Sequence, residues 1–177
     1  MIDRSVFPGP IRQIGFIVAS LEEAVAQWAA LGVAPWLVVR DLKMEGCRYR
    51  GEHSAPVISL ALANSGELQI ELIEQRDETP SIYKEFLDAT GGGFNQVAYW
   101  MDDVAAVRDA AVAAGWTEVW CNDDDKDPGV RFSYVEHPNA PMAIVELMEL
   151  TESNAPMNEM LRQAAESWTP GDPIYLG

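Results

Sequence analysis

Two glutamates in strand-like segments are the residues of this sequence best suited to acid–base chemistry. Glu146 lies in the segment 144–150, where the neighbouring positions on both faces are mostly apolar. A carboxylate in such a strand must be paired, bound to a metal or protonated, because burial of an unpaired charge costs free energy. Glu71 lies in the strictly alternating segment 67–74, on the face that also carries Gln69. The alternative interpretation is that either carboxylate simply contacts water.

An internal repeat connects these segments. Residues 96–104 repeat residues 13–21 at an offset of 83, and each copy runs into a helical pattern that ends at a glycine, Gly32 or Gly115. A repeat of this size indicates two copies of one supersecondary unit. If a pseudo-twofold axis relates the copies, both first strands and both last strands border one cavity. The side chains that would then converge are Gln13, Glu71, Gln96 and Glu146.

This set of side chains offers two amides and two carboxylates. Such a set suits a hard divalent ion bound through oxygen, or general acid–base catalysis without a metal by carboxylates whose pKa values are raised. Trp100 shares a strand face with Gln96 and is the aromatic residue that we expect to contact a ligand there. His53 and His137 have no second ligand at helix or strand spacing, so we expect them to be surface or turn residues.

Each copy of the repeat predicts the order β-α-β-β-β. Ser20 and Glu23 have the spacing of a helix capping box, and alternating or branched segments predict the strands. We therefore predict an α+β fold in which two β-α-β-β-β modules pair about a pseudo-twofold axis and form one curved sheet around a cavity, followed by a C-terminal helix. The predicted divisions are an N-terminal arm (1–10), the first module (11–74), a linker with a short helix (75–92), the second module (93–150), and a C-terminal helix and tail (151–177).

Two segments need a separate interpretation. The C-terminal helix is predicted over residues 158–167 and is expected to cover an exposed edge of a module or to join a dimer contact. The acidic run 123–127 lacks the alternating spacing and the closing glutamate of an EF-hand, so we expect a solvated turn there.

The composition is that of a globular protein with a strong negative charge. Twenty-eight acidic residues against twelve basic ones give a formal net charge of −16, which repels nucleic acid and anionic membrane surfaces. No apolar run is long enough to span a bilayer, and Cys47 and Cys121 lack the spacing of a zinc site. We therefore expect a cytoplasmic protein with reduced thiols, no nucleic-acid or membrane partner, a small-molecule substrate and a homodimeric assembly.

Four segments resemble the vicinal oxygen chelate superfamily, which includes glyoxalase I, methylmalonyl-CoA epimerase, extradiol dioxygenases and bleomycin-resistance proteins. They are residues 11–18, 93–99, 129–134 and 144–147, and they are most similar to the glyoxalase and epimerase branch. The resemblance implies that the metal-ligand positions of that branch fall on Gln13, Glu71, Gln96 and Glu146. Glutamine stands at both places where epimerase-like members usually carry histidine. This departure weakens a site for Zn²⁺, Ni²⁺ or Fe²⁺, and without two histidines and a carboxylate extradiol ring cleavage is disfavoured.

Two functions are compatible with these residues. The first is an isomerase, epimerase or lyase in which Glu71 or Glu146 removes a proton next to a carbonyl of a small organic acid, thioester or aromatic metabolite. Gln13 and Gln96 would hold the developing enolate oxygen, directly or through a metal, with Trp100 as a further substrate contact. The cofactor is then either a divalent metal ion, held by the two glutamines and two glutamates, or none. The second function is small-molecule binding without turnover, as in the bleomycin-resistance proteins.

Overall fold

The structure, a computed structural model, describes residues 6–122, 131–139 and 144–176. Within these ranges the chain forms ten strands and four helices, and none of these helices has the length and apolar character needed to cross a membrane. Their bounds are β1 (Gln13–Ile17), α1 (Leu21–Ala30), β2 (Leu37–Lys43), β3 (Cys47–Tyr49), β4 (Glu52–His53), β5 (Val57–Ser65), β6 (Leu68–Gln75), α2 (Ile82–Thr90), β7 (Gly93–Met101), α3 (Val104–Ala113), β8 (Thr117–Asn122), β9 (Phe132–Glu136), β10 (Ile144–Glu149) and α4 (Ala155–Ser167).

These strands form one mixed sheet in the order β2-β5-β6-β1-β7-β10-β9-β8-β3-β4. At its centre β1 and β7 pair antiparallel, and each also pairs in parallel with the last strand of its own repeat unit, β6 or β10. From the centre outward, the two halves β1-β6-β5-β2 and β7-β10-β9-β8 therefore have matching orders. The predicted α+β fold is confirmed: two β-α-β-β-β units share a curved sheet, and a C-terminal helix follows.

The helices α1 and α3 begin at equivalent residues of the repeat. Ser20 caps α1 by accepting a hydrogen bond from the backbone N–H of Glu23, and Asp103 caps α3 by accepting one from the N–H of Ala106. Each cap satisfies a backbone donor that has no partner inside its helix, and this fixes where the helix begins.

Strand alternation separates an outer, apolar face of the sheet from an inner face that carries polar side chains. In β1, Ile14 and Phe16 pack on the outer face against the cluster that includes residues of α1, whereas Gln13 and Ile17 are buried on the opposite face. The strand β6 alternates in the same way, which places Glu71 on the inner face. The inner face of the curved sheet is therefore where the candidate residues lie.

The polar segment after β2 forms a hairpin that the repeat does not predict. It consists of β3 and β4, and its turn residues Arg50 and Gly51 have positive φ angles of 48° and 86°. Because β3 pairs with β8, part of the first repeat unit extends the second half of the sheet. Residues 44–46 lead from β2 to the hairpin and residues 54–56 lead back to β5. A hydrogen bond of 3.0 Å from the N–H of Met44 to the carbonyl of Pro56 joins these two links.

The helix α4 begins three residues earlier than predicted and packs mainly against β5, an interior strand of the sheet. The expectation that this helix covers a sheet edge is therefore wrong. The tail beyond it reaches the β2 side instead, where Tyr175 forms a bridge with Trp36. A role of α4 in a dimer contact stays a prediction, and the predicted acidic turn, 123–127, lies outside the described residues.

Candidate active site

A cavity of about 210 Å³ on the inner face holds both candidate carboxylates, Glu71 from β6 and Glu146 from β10. Glu146 is 5% exposed, whereas Glu71 is partly exposed and lines the cavity. Most of the remaining wall is apolar or aromatic, so charged groups here are poorly solvated. The remaining lining residues are Leu42, Lys43, Met44, Ile58, Leu60, Tyr83, Asn122, Phe132, Tyr134 and Met148.

Gln96 of β7 lies between the two carboxylates and is fully buried. Its Nε2 donates to Glu71 Oε2 at 3.1 Å and to the hydroxyl of Tyr134, also at 3.1 Å. Tyr134 lies on β9 directly opposite Glu146 of β10, and the polar groups of Tyr134 and Gln96 face the Glu146 carboxyl group, whose Oε2 has no hydrogen-bond partner among the described residues. The structure therefore brings together three of the four side chains predicted to converge, and their chemical roles stay a prediction.

The position of Gln96 depends on Gly15 of the neighbouring strand β1. In the sheet register Gly15 lies between Gln96 on one side and Glu71 on the other. A Cβ atom at residue 15 would lie 2.1 Å from Gln96 Nε2, well inside van der Waals contact. Only glycine therefore allows the Gln96 side chain to cross β1 and reach Glu71.

The fourth predicted side chain, Gln13, makes a different contact. By the repeat, Gln13 would cross β7 at Ala98, the counterpart of Gly15, to reach Glu146. Ala98 carries a methyl group at that place. Gln13 instead donates from Nε2 to Gln69 Oε1 at 2.8 Å, on the other side of its strand. Two equivalent glutamines thus have different partners because their neighbouring strands differ by one methyl group.

The pKa values of the two carboxyl groups are both raised, but unequally. Burial raises the pKa of Glu71 to about 7, against an opposing effect of the hydrogen bond from Gln96. Burial raises the pKa of Glu146 well above its usual value, and the charge of Glu71 raises it further. Glu71 therefore ionises first as the pH rises, and Glu146 keeps its proton to a higher pH than Glu71 does.

Sequence reasoning missed the role of Tyr134 and Tyr83 in this site, because aromatic residues in strands and helices are usually core residues. The indole N–H of Trp120 donates to the Tyr83 hydroxyl at 3.1 Å, and the hydroxyls of Tyr83 and Tyr134 are 3.5 Å apart. Burial raises the pKa of both tyrosines well above the usual value, so both stay protonated. The signal that identifies Tyr134 is the strand register, which places it on β9 opposite Glu146.

Trp100, predicted to contact the substrate, lines a different cavity. It lies two residues after Ala98, on the same face of β7, and the Arg12 guanidinium carbon lies 5.2 Å from the centre of its ring. The structure does not place it in the wall of the carboxylate cavity described above.

Residues 12–134 match the sequence-family model of the Glyoxalase/Bleomycin resistance protein/Dioxygenase superfamily. The chain belongs to this superfamily. A comparison with curated protein sequences finds no match. Superfamily members bind small-molecule substrates and often form dimers.

Three solved structures illustrate how this superfamily member resembles known folds. A hypothetical protein from Bacillus halodurans has a TM-score of 0.60 at 20% identity, over 81% of this chain and 95% of its own. The methylmalonyl-CoA epimerase from Mycobacterium tuberculosis has a TM-score of 0.57 at 21% identity, over 88% and 97%. A Streptomyces coelicolor methylmalonyl-CoA epimerase variant, in complex with 2-nitronate-propionyl-CoA, has a TM-score of 0.53 at 17% identity, over 81% and 95%.

Many members of the superfamily use a divalent metal ion, and the side chains of this cavity can be compared with that requirement. In the part of the chain that the structure describes, no group of three or more His, Cys, Asp and Glu side chains is placed to hold a metal. Gln96 directs amide N–H groups at Glu71 and Tyr134, and Gln13 bonds to Gln69. Among the described residues, the amide oxygens of Gln13 and Gln96 have no hydrogen-bond partner, but an amide oxygen is a poor ligand for Zn²⁺, Ni²⁺ or Fe²⁺, and neither imidazole nor thiolate lines the cavity. The residues present therefore do not fit the transition-metal site that the resemblance implies.

Proposed function

We propose that this protein catalyses proton transfer at a carbon next to a carbonyl group, as an isomerase or epimerase that uses its own carboxyl groups. The observation that carries the proposal is the pair Glu71 and Glu146: two carboxyl groups in one apolar cavity, with Gln96 hydrogen-bonded to Glu71 and Tyr134 and lying between them. Their pKa values are raised to different extents. Two carboxyl groups with separated pKa values supply a base and an acid at the same pH.

In this mechanism Glu71 is the base, because it is the carboxylate that ionises near neutral pH. It accepts the proton from the α-carbon, and the electron pair of that C–H bond moves to the carbonyl oxygen. The protonated Glu146 and the Tyr134 hydroxyl are the donors that stabilise the resulting enolate oxygen. Return of the proton from Glu71 to a different atom isomerises the substrate. Inversion needs a proton delivered from Glu146 to the opposite face of the carbon, after which the proton left on Glu71 returns to Glu146 by exchange with solvent.

The cavity also defines the part of the substrate that reacts. A volume of about 210 Å³ with a mostly apolar wall suits the acyl end of a small organic acid or thioester, or a small aromatic metabolite. The epimerases of methylmalonyl-CoA that share this fold support a thioester as one such substrate. We propose that no transition metal takes part, since glutamine stands in the places of the histidine ligands and no imidazole or thiolate of the described residues lines the cavity.

The decisive experiment measures exchange of α-protons with deuterated water, by NMR, for a panel of small acids and thioesters including methylmalonyl-CoA. Glu71→Gln is expected to abolish exchange, because a neutral amide cannot accept the proton. Glu78→Gln is the matched control, because it makes the same change on a side chain that is 90% exposed. If Glu71→Gln exchanges protons as fast as the unsubstituted protein, Glu71 is not the base.

The second candidate function is sequestration of an apolar compound, and the wall of the cavity favours it. Met44, Phe132 and Met148 give the cavity an apolar, adaptable lining. A sequestering protein would bind such compounds equally well with Glu71→Gln and would exchange no α-protons in any substrate of the panel. Retained binding with no exchange in either protein would favour this second function.

We also propose that the protein is a cytoplasmic homodimer, as its family often is. Sedimentation equilibrium of the purified chain, whose monomer mass is 19.5 kDa, tests the assembly. A monomer at micromolar concentration would contradict it.

A further inference from the structure

A second cavity, of about 360 Å³, lies between α4 and one end of the inner face. Arg12, Asn64 and Trp100 line it from the sheet side, and Asn158 lines it from the helix. None of these residues borders the carboxylate cavity. This cavity is separate from the proposed catalytic site and larger than it.

Its wall contains an unusual number of buried polar atoms without a hydrogen-bond partner among the described residues. They are Arg12 Nε, Asn64 Oδ1, Trp100 Nε1 and Asn158 Nδ2. The side chains of Asn64 and Asn158 belong to residues that are only 5% and 7% exposed. Unpaired buried polar groups are rare in native proteins, because each has lost its hydrogen bonds to water without gaining others. Four around one cavity therefore point to a polar ligand.

A row of three amides makes this conclusion independent of how each amide is oriented. Gln13 donates to Gln69 at 2.8 Å, and Gln69 donates to Asn158 at 3.2 Å. If all three amides turned together, the row would run in the opposite direction. In either direction Asn158 keeps one polar atom that the row does not use.

We propose that this cavity binds a small carboxylic acid that has an apolar body. Arg12 Nε and Trp100 Nε1 can only donate, so the ligand must offer acceptor atoms and, opposite a guanidinium, a negative charge. In the direction of the amide row that the structure shows, Asn158 Nδ2 adds a third donor. Arg12 is available because its ion pair, with Glu67 at 3.8 Å, is long and exposed.

The other charged side chains at the cavity are already compensated. Two arginines, Arg12 and Arg162, and one glutamate, Glu159, are the charged residues that line the cavity, and Arg162 pairs with Glu159 at 2.7 Å. Arg162 also contacts Glu166 at 2.5 Å and Glu67 at 3.7 Å, two exposed side chains outside the lining. Pro10, Leu150 and Ala155 supply an apolar surface for the rest of the molecule. The cavity thus offers hydrogen-bond donors to the anionic end of the ligand and an apolar surface to its body.

Benzoate is a suitable probe, and the indole N–H signal of Trp100 in a proton–nitrogen NMR spectrum is the readout. Trp100→Phe identifies that signal by removing it. Titration with benzoate is expected to shift it, whereas cyclohexanol, an uncharged apolar compound, leaves it in place. Absence of any shift at saturating benzoate would overturn the proposal.

Two substitutions test the donors. Asn158→Asp keeps an oxygen that accepts from Gln69 but replaces the donor by a negative charge, and Arg12→Gln removes the guanidinium. Each is expected to weaken benzoate binding about tenfold or more, which corresponds to about 1.4 kcal/mol. Arg40→Gln, at an exposed arginine that pairs with Glu22, is the control and should bind as the unsubstituted protein does.

Glu71→Gln separates this site from the proposed catalytic one. Benzoate binding that is unchanged in Glu71→Gln but weakened in both Asn158→Asp and Arg12→Gln supports a second site. Binding that is lost in Glu71→Gln and kept in the other two would place benzoate in the carboxylate cavity and refute the proposal. Far-ultraviolet circular dichroism of each variant verifies that α4 is still folded.

Discussion

Replacing Glu71 by glutamine should make the protein more stable in alkaline solution. The folded protein raises the pKa of this carboxyl group from 4.5 to about 7, mainly by burial. Each pKa unit corresponds to about 1.4 kcal/mol, so ionising Glu71 in the folded state costs about 3 kcal/mol relative to the unfolded chain. That is a sizeable part of the total stability of an ordinary domain, about 5 to 15 kcal/mol.

The direction follows from which state binds the proton more tightly. Because the folded state has the higher pKa, this stabilising contribution is full below pH 4.5 and is lost as the pH rises through about 7. The glutamine side chain of the variant keeps an oxygen that can accept the hydrogen bond from Gln96 but cannot ionise. The variant should therefore lose less stability than the unsubstituted protein as the pH rises.

Urea unfolding at about pH 5 and about pH 8.5 measures this effect. The free energy of unfolding of Glu71→Gln, minus that of the unsubstituted protein, should increase by about 2 to 3 kcal/mol between the two values. Glu78→Gln, at an exposed side chain, should show no such change. An equal pH dependence in Glu71→Gln and the unsubstituted protein would mean that Glu71 is already ionised at low pH, and the reasoning about burial would be wrong.

Three further outcomes follow from the same site. The rate of α-proton exchange should rise through about pH 7 as Glu71 ionises and fall at higher pH as Glu146 loses its proton, and a pH–rate profile of Glu146→Gln should lack that fall. Gly15→Ala should displace Gln96, destabilise the protein by about 1 to 3 kcal/mol in urea unfolding and slow exchange. Gly66→Ala, at a turn glycine with a φ of 60° whose added Cβ would meet nothing within 4 Å, should also destabilise the protein, through backbone strain, but leave exchange unchanged. Dialysis against a chelator should leave the exchange rate unaltered, and a loss that added Zn²⁺ or Co²⁺ restores would contradict the metal-free mechanism.

Much of the fold could be predicted from the sequence because the repeat carries both the strand alternation and the helix caps. Ser20 and Asp103, equivalent residues of the two units, both cap helices as observed. The pairing of the β3–β4 hairpin with β8 was not predictable, because it joins residues far apart in sequence and leaves only a polar segment as a local signal.

The candidate site was predictable only where the two repeat units behave alike. Glu71 and Glu146 share a cavity as equivalent last-strand residues should. Gln13 and Gln96 do not behave alike, because Gly15 leaves space for one side chain and Ala98 does not leave the same space for the other. The effect of this one methyl group on the glutamine partners can be predicted only when the strand register is known.

The two short links around the β3–β4 hairpin limit how far the cavity can open. The four peptide steps from Lys43 to Cys47 span at most about 14 Å when fully extended, and they connect the strand at one end of the sheet to a strand near the other. Residues 54–56 form a second tether of similar length, bonded to the first through Met44 and Pro56. Uncurling of the sheet to widen the cavity would require the hairpin to detach from β8. The largest ligand that the cavity can admit is therefore limited by the pairing of a three-residue strand.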